Sequence, residues 1–226
     1  MSPHFSGRGE GAVGIRSGLV GEWRGGDGLR RSARTLHARM PAPSPLPPPP
    51  SPEPAPTALF GGAFDPPHLG HVLAAVHAFA SGGAGQVWVL PTAQHPWGKQ
   101  TRPFAERLDL CRAAFAGLPF VSVRDDERDN PSGTTWDLLD LLERRDPGTR
   151  FVLIGGTDTG RDLPRWYRGE ELARRLPVLV IPRRPLDDHP AALPAISSSL
   201  VRERLAAGLP VDDLVPAAVA LLLRRG

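Results

Sequence analysis

From residue 57 onward, five short runs of continuous apolar residues, at 57–60, 86–91, 120–123, 150–155 and 177–181, alternate with stretches of helical composition. The helical stretches fall near 69–81, 104–116, 134–145, 168–176, 197–207 and 216–225. A strand with one wet face alternates apolar and polar residues, whereas a strand that is apolar throughout has to be covered on both faces. The alternation of such strands with helices predicts an α/β fold: a doubly wound, mostly parallel sheet with helices on both sides. Open sheets of this kind bind ligands outside the carboxyl ends of their strands. The chemically rich segments, 61–71, 91–102, 124–135 and 155–167, all follow strand ends.

The first of these segments is the most constrained: Gly61-Gly62-Ala63-Phe64-Asp65-Pro66-Pro67-His68-Leu69-Gly70-His71. Gly61 and Gly62 allow a ligand close to the main chain, Pro66 and Pro67 stiffen the turn, and His68 opens a helical stretch. The first N–H groups of a helix lack internal partners and sit at the positive end of its dipole, so anions bind there. His68 and His71 are three residues apart and share a face. Neutral or charged, an imidazole there can donate to a phosphate oxygen. A zinc reading of the pair lacks a matching third ligand.

These residues resemble the GGxFDPxHxGH signature of the HxGH-type nucleotidyltransferases, and within them the nicotinate-nucleotide adenylyltransferases. Near the C-terminus, Ile196-Ser197-Ser198-Ser199-Leu200-Val201-Arg202 resembles the second signature of that family, ISSTxxR, with Ser199 keeping the hydroxyl of the usual threonine. The resemblance covers about 57–225. It implies a Rossmann-like nucleotidyltransferase domain that transfers the adenylyl group of ATP to nicotinate mononucleotide, giving nicotinate adenine dinucleotide and pyrophosphate in NAD biosynthesis. It implies catalytic roles for His68, His71, Lys99 and Arg202. It implies ATP contacts at Gly61, Gly62, Ala63, Phe64, His68, His71, Asp158, Ile196, Ser197, Ser198 and Arg202, and contacts to the mononucleotide at Thr135, Trp166 and Tyr167. Mg²⁺ would arrive on the triphosphate, because no Asp/Glu cage is visible and no protein-held metal is expected. Transferases for nicotinamide mononucleotide, 4′-phosphopantetheine and glycerol 3-phosphate share the two signatures. A nucleotide-binding adaptor without turnover is the alternative from another class.

Each of these residues also has a plainer reading. Lys99 is the only lysine beside 26 arginines, which suggests a need for a compact, mobile cation at phosphate; an accidental surface lysine is the alternative. His95 and Trp97 line the same loop or simply pack it. Arg107 suits an ion pair anchoring its helix. Thr135 reads as a helix N-cap or as a hydroxyl for the acceptor carboxylate, although Gly133-Thr134 stand where the family commonly has Ser-Tyr. Asp137, near the same helix start, suits the dipole. Asp158, in Gly156-Thr157-Asp158, accepts from ribose hydroxyls or caps the next helix. Trp166 stacks on the pyridine ring or plugs the core. Arg183 and Arg184 hold phosphate or mark an exposed turn.

Residues 1–56 are different in kind: Gly-, Arg- and Ser-rich to residue 39, then dominated by proline. Such a segment cannot bury enough surface to offset its chain entropy, so 1–56 is expected to be a disordered tail and 57–226 the folded domain. The proline run suits a linker, or an SH3-like partner. Translation from Met40 would omit the first 39 residues; the mass of the native N-terminus decides between the two starts. Residues 1–57 carry seven arginines against four acidic residues, the whole of the net charge of +3, so the body is neutral and lacks the basic footprint of a nucleic-acid platform. No run reaches the ~20 apolar residues of a membrane span, and no secretory leader is visible. Cys111, the only cysteine, reads as a core residue and fits a reducing cytoplasm. Oligomeric state is not legible.

Overall fold

The computed structural model describes residues 54–94, 100–184 and 189–225. The expected tail as far as residue 53, and His95, Trp97 and Lys99, lie outside the described residues.

Among the described residues, five parallel strands form one sheet: β1 (Thr57–Gly62), β2 (Gln86–Pro91), β3 (Val121–Val123), β4 (Phe151–Gly156) and β5 (Val178–Ile181), in the order β3-β2-β1-β4-β5. The helices are α1 (Leu69–Ala80), α2 (Phe104–Phe115), α3 (Thr135–Arg145), α4 (Thr157–Asp162), α5 (Gly169–Arg175), α6 (Ser198–Ala206) and α7 (Ala217–Leu223). Single 3₁₀ turns occupy Asp126–Asp129 and Leu163–Arg165.

Successive side chains of a strand point to opposite faces, so each strand feeds two cores. Ala58 and Phe60 of β1, Val87 and Val89 of β2 and Ile154 of β4 join one cluster with Ala75, Cys111, Phe115, Val201 and Val219. Leu59, Trp88, Leu90 and Leu153 face the other way and join Leu138, Leu139, Leu142, Leu172 and Leu176. That division is why the strands read as unbroken apolar runs. Cys111 is fully buried, and burial pushes its thiol up to about 12, so it packs as a small apolar group.

The strand order reverses at β1: the chain goes outward through β2 and β3, then returns to build β4 on the other side. The crevice between the carboxyl ends of β1 and β4 is therefore the switch point at which such sheets bind ligands. Arg107 departs from its expected ion pair. Its Nε, Nη1 and Nη2 donate to the carbonyl oxygens of Arg102, Ala63 and Thr92 at 2.9, 2.8 and 2.8 Å. It anchors α2, but by clipping together the loops that leave β1 and β2.

Candidate active site

Two cavities open at the switch point. The smaller, about 210 Å³, is lined by His68, Gly70, His71, Asp158, Arg183 and Ile196 together with apolar ends of β1, β4 and β5. The larger, about 440 Å³, is lined by Gly62, Ala63, Glu127, Thr134, Thr135, Arg165, Trp166 and Tyr167 over an apolar floor. Gly61, Ile154 and Thr159 belong to both walls, so the cavities are neighbours across the gap between β1 and β4.

His68 sits at the N-cap of α1 with extended backbone angles, and His71 lies one turn in. Their rings stack with centroids 3.7 Å apart and planes 28° from parallel. Nδ1 of His71 accepts the backbone N–H of His68 at 3.1 Å, which leaves the proton of a neutral His71 on Nε2. Burial, the neighbouring His68 and the positive charge of Arg183 hold His71 well below the usual imidazole range. Burial and Arg183 bring His68 down to about 4. Both rings are thus neutral donors near pH 7. Among the described residues, Nδ1 of His68 is buried without a hydrogen-bond partner. Gly70 makes room for the pair: a Cβ there would lie 3.0 Å from Cε1 and Nδ1 of the His68 ring.

The N–H of Leu69 is already taken by the carbonyl of Leu214 at 2.9 Å, so the mouth of α1 offers an anion fewer free donors than a bare helix start. Phe64, expected at the nucleotide, lines neither cavity. It is buried with φ of 47° and packs its ring 4.7 Å from that of His71, so it buttresses the histidine from below. Gly62 and Ala63 face the larger cavity, and Gly61 faces both.

The serine-led helix approaches the same turn. Ser197 caps α6 by accepting from the N–H of Leu200 at 3.1 Å. Ser198 Oγ donates to the carbonyl of Pro66 at 2.9 Å. The guanidinium of Arg202 donates to the carbonyl of Asp65 and to Ser199 Oγ. Of this signature only Ile196 reaches the wall of the smaller cavity; Ser197, Ser198 and Arg202 stand behind it.

At the end of β4 the structure adds α4, which sequence reading missed because TDTGRD has no apolar periodicity. A Cβ on Gly155 would meet Cβ of Thr159 at 2.5 Å, so α4 packs this closely only over glycine. Asp158 is the second residue of α4, not its N-cap; Gly156 holds that position, and the carboxylate lies on the wall of the smaller cavity. The N-cap of α3 is likewise Thr134 rather than Thr135, its Oγ1 accepting from the N–H of Asp137 at 3.2 Å. Thr135 follows on the wall of the larger cavity. Trp166 is half-buried: it packs against the apolar cluster under α3 and α5 and also lines that cavity, and exposed Tyr167 stands beside it.

Glu127 was not singled out by its sequence. It is 5% exposed on the cavity wall, and burial pushes its carboxyl up to about 7. It accepts from Asn130 Nδ2 at 3.2 Å. Nothing in the run Arg124–Gly133 distinguishes this carboxylate from its neighbours; only the packing does. Among the described residues no group of three or more His, Cys, Asp or Glu is arranged to hold a metal ion, and no helix is long and apolar enough to cross a membrane.

A switch-point crevice with paired histidines at a helix mouth, joined to a larger aromatic-lined cavity, defines a nucleotidyltransferase-type site. A family profile described as cytidylyltransferase-like matches residues 59–204. A relative from Anaeromyxobacter sp. (strain K), described as a probable nicotinate-nucleotide adenylyltransferase, is 41% identical over 165 residues, 70% of this chain and 88% of its own length. The nicotinate-nucleotide adenylyltransferase of Bacillus subtilis (strain 168) is 32% identical over 171 residues, 70% of this chain and 89% of its own. The Plasmodium falciparum nicotinic acid mononucleotide adenylyltransferase, solved with NaAD, superposes with a TM-score of 0.65 at 18% identity, over 76% of this chain and 95% of that one. The chain belongs to the cytidylyltransferase-like family and, within it, to the nicotinate-nucleotide adenylyltransferases.

Proposed function

We propose that the protein is the nucleotidyltransferase that moves the adenylyl group of ATP onto nicotinate mononucleotide, yielding nicotinate adenine dinucleotide and pyrophosphate in NAD biosynthesis. One observation supports this reading most: two cavities of different character meet across a shared wall of Gly61, Ile154 and Thr159. Two bound nucleotides lying across that wall would bring their phosphates together there. ATP would occupy the smaller cavity, its phosphates at His68 and His71 and its ribose at Asp158. The mononucleotide would occupy the larger one, its pyridine ring against Trp166 and its carboxylate near Thr135 at the start of α3.

In the reaction, an oxygen of the 5′-phosphate attacks the α-phosphorus of ATP in line. A P–O bond forms as the bond to the β-phosphate breaks, and the electron pair leaves with pyrophosphate. The protein supplies no nucleophile. It positions the reactants and stabilises the developing charge. Neutral His68 and His71 donate to phosphate oxygens, and the Nε2–H of His71 is aligned for this by the bond at its Nδ1. The unpartnered Nδ1 of His68 fits a ring poised for a ligand. Lys99 would add a cation, with Ser197, Ser198 and Arg202 holding the turn or reaching the triphosphate once it is bound. A Mg²⁺ ion would come with ATP; the small cavity offers it one carboxylate, Asp158, and two imidazoles, a poor cage for a hard cation. The setting would be the cytoplasm.

The test is pyrophosphate release with ATP and each acceptor in turn. Release with nicotinate mononucleotide supports the reading. Release only with nicotinamide mononucleotide or 4′-phosphopantetheine reassigns the acceptor, and nucleotide binding without release under any condition overturns the enzyme.

A further inference from the structure

The smaller cavity has a charge imbalance. A triphosphate is a polyanion, yet both histidines on this wall are held neutral and Asp158 adds a negative charge. The guanidinium of Arg202 is off the wall and committed to the carbonyl of Asp65 and the hydroxyl of Ser199. Among the described residues the one permanent cation on the wall is Arg183, just after β5.

Arg183 is held in place through its backbone. It forms an isolated parallel bridge with Leu193; the N–H of Leu193 donates to the carbonyl of Pro182 at 2.8 Å, and the N–H of Arg184 donates to the carbonyl of Leu193 at 2.9 Å. Its side chain is in no ion pair with any described carboxylate. It lines the same cavity as both imidazoles, and its positive charge helps to hold them neutral, so the guanidinium faces the space in which the phosphates are expected. A cation that no described carboxylate neutralises, beside two neutral donors, is a costly arrangement for an empty cavity and a favourable one for an anion.

We propose that Arg183 is a catalytic residue that binds the triphosphate in the histidine-lined cavity and offsets the charge that grows on the leaving pyrophosphate. This rests on the adenylyl-transfer reading. As the bond from the α-phosphorus to the bridging oxygen breaks, its electron pair goes to pyrophosphate, and a guanidinium fork can donate to two of those oxygens at once. The histidines, being neutral, would serve as hydrogen-bond donors while Arg183 supplies the fixed charge.

The experiment compares wild type with Arg183→Gln and Arg183→Lys, reading ATP affinity by calorimetry, kcat and both KM values by pyrophosphate release, and His68 titration by NMR. For Arg183→Gln the expected result is ATP binding weakened about 10- to 100-fold, kcat lowered, the KM for the mononucleotide changed less than about 2-fold, and His68 titrating at higher pH. Arg183→Lys should recover part of kcat and less of the forked ATP affinity. Unchanged ATP affinity and kcat in a folded Arg183→Gln would overturn the proposal, and so would equal losses for both substrates. Because ATP affinity is measured directly, failure of Arg183 is distinguishable from failure of the transferase reading, in which wild type itself would release no pyrophosphate.

Discussion

Nη1 of Arg202 donates to the main-chain carbonyl oxygen of Asp65 at 2.6 Å, across 137 residues of sequence. With Ser198 bound to the carbonyl of Pro66, this fixes the start of α6 against the turn that leads into α1. The carboxylate of Asp65 is itself buried and paired with Arg102 at 2.5 Å, so a single turn takes an arginine on its side chain and another on its backbone. The two signature stretches therefore meet through the main chain.

Replacing Arg202 with alanine should consequently act on stability as well as on turnover. A charge-assisted hydrogen bond to a partly buried carbonyl contributes about 1.5–3 kcal/mol. Urea titration should show a lower midpoint, with the unfolding free energy reduced by that amount, alongside weaker ATP binding. An unchanged midpoint would remove the tether from the account of the fold.

His68→Ala should lower kcat by about 100-fold or more, the cost of losing a preorganised donor to developing charge. The KM for the mononucleotide should stay within a few-fold, since that substrate is assigned to the other cavity. An unchanged kcat would take the histidine out of the mechanism.

Gly70→Ala tests the space under the ring. The added Cβ would press on Cε1 and Nδ1 of His68 at 3.0 Å. Overpacking of this kind costs about 1–3 kcal/mol or displaces the ring. Steady-state kinetics should show a loss in kcat larger than the shift in the thermal midpoint would suggest. Wild-type kinetics would mean that the ring has room to give.

The histidine pair predicts an acid-labile site. His68 titrates near 4 in the folded protein against 6.5 when exposed, so the unfolded chain takes up its proton first as pH falls. Stability from the neutral ring is present above about pH 6.5 and is lost as pH drops through that value toward 4, by up to about 3 kcal/mol. NMR should find the His68 ring neutral at pH 5.5. A ring titrating near 6.5 in the folded state would contradict the burial argument.

Glu127 has the opposite sign. Its carboxyl titrates near 7 when folded and near 4.5 when exposed, so the folded state holds the proton more tightly between those values. Stability from this group is greatest below about pH 4.5 and falls as pH rises through 7. Glu127→Gln, which cannot ionise, should gain about 2–3 kcal/mol relative to wild type between pH 5 and pH 8. Chemical denaturation at the two pH values measures the difference; a pH-independent offset would show that Glu127 is solvated.

The strand positions were legible because burial on both faces leaves a local signature. Val87 and Val89 serve one core, Trp88 and Leu90 the other, and the run Val87–Leu90 reads apolar throughout. The histidine and serine-arginine stretches were legible because turn chemistry and helix capping act over a few residues. By contrast, α4 could not be read, because its six residues, none of them apolar in side chain, become a helix only where Gly155 lets them lie against β4. The same holds for Thr134, which displaced Thr135 as the cap of α3.

By itself, then, the sequence determined a doubly wound α/β body and marked the two stretches that meet at its nucleotide crevice, since periodicity and capping are properties of neighbouring residues. Tertiary structure decided which of many similar charges matter. Arg107 became a clip on three carbonyls, Glu127 a buried carboxyl near neutrality, and Arg183 the cation of the histidine cavity. Burial and the field of distant groups set those roles, and neither is written in the few residues on either side of a side chain.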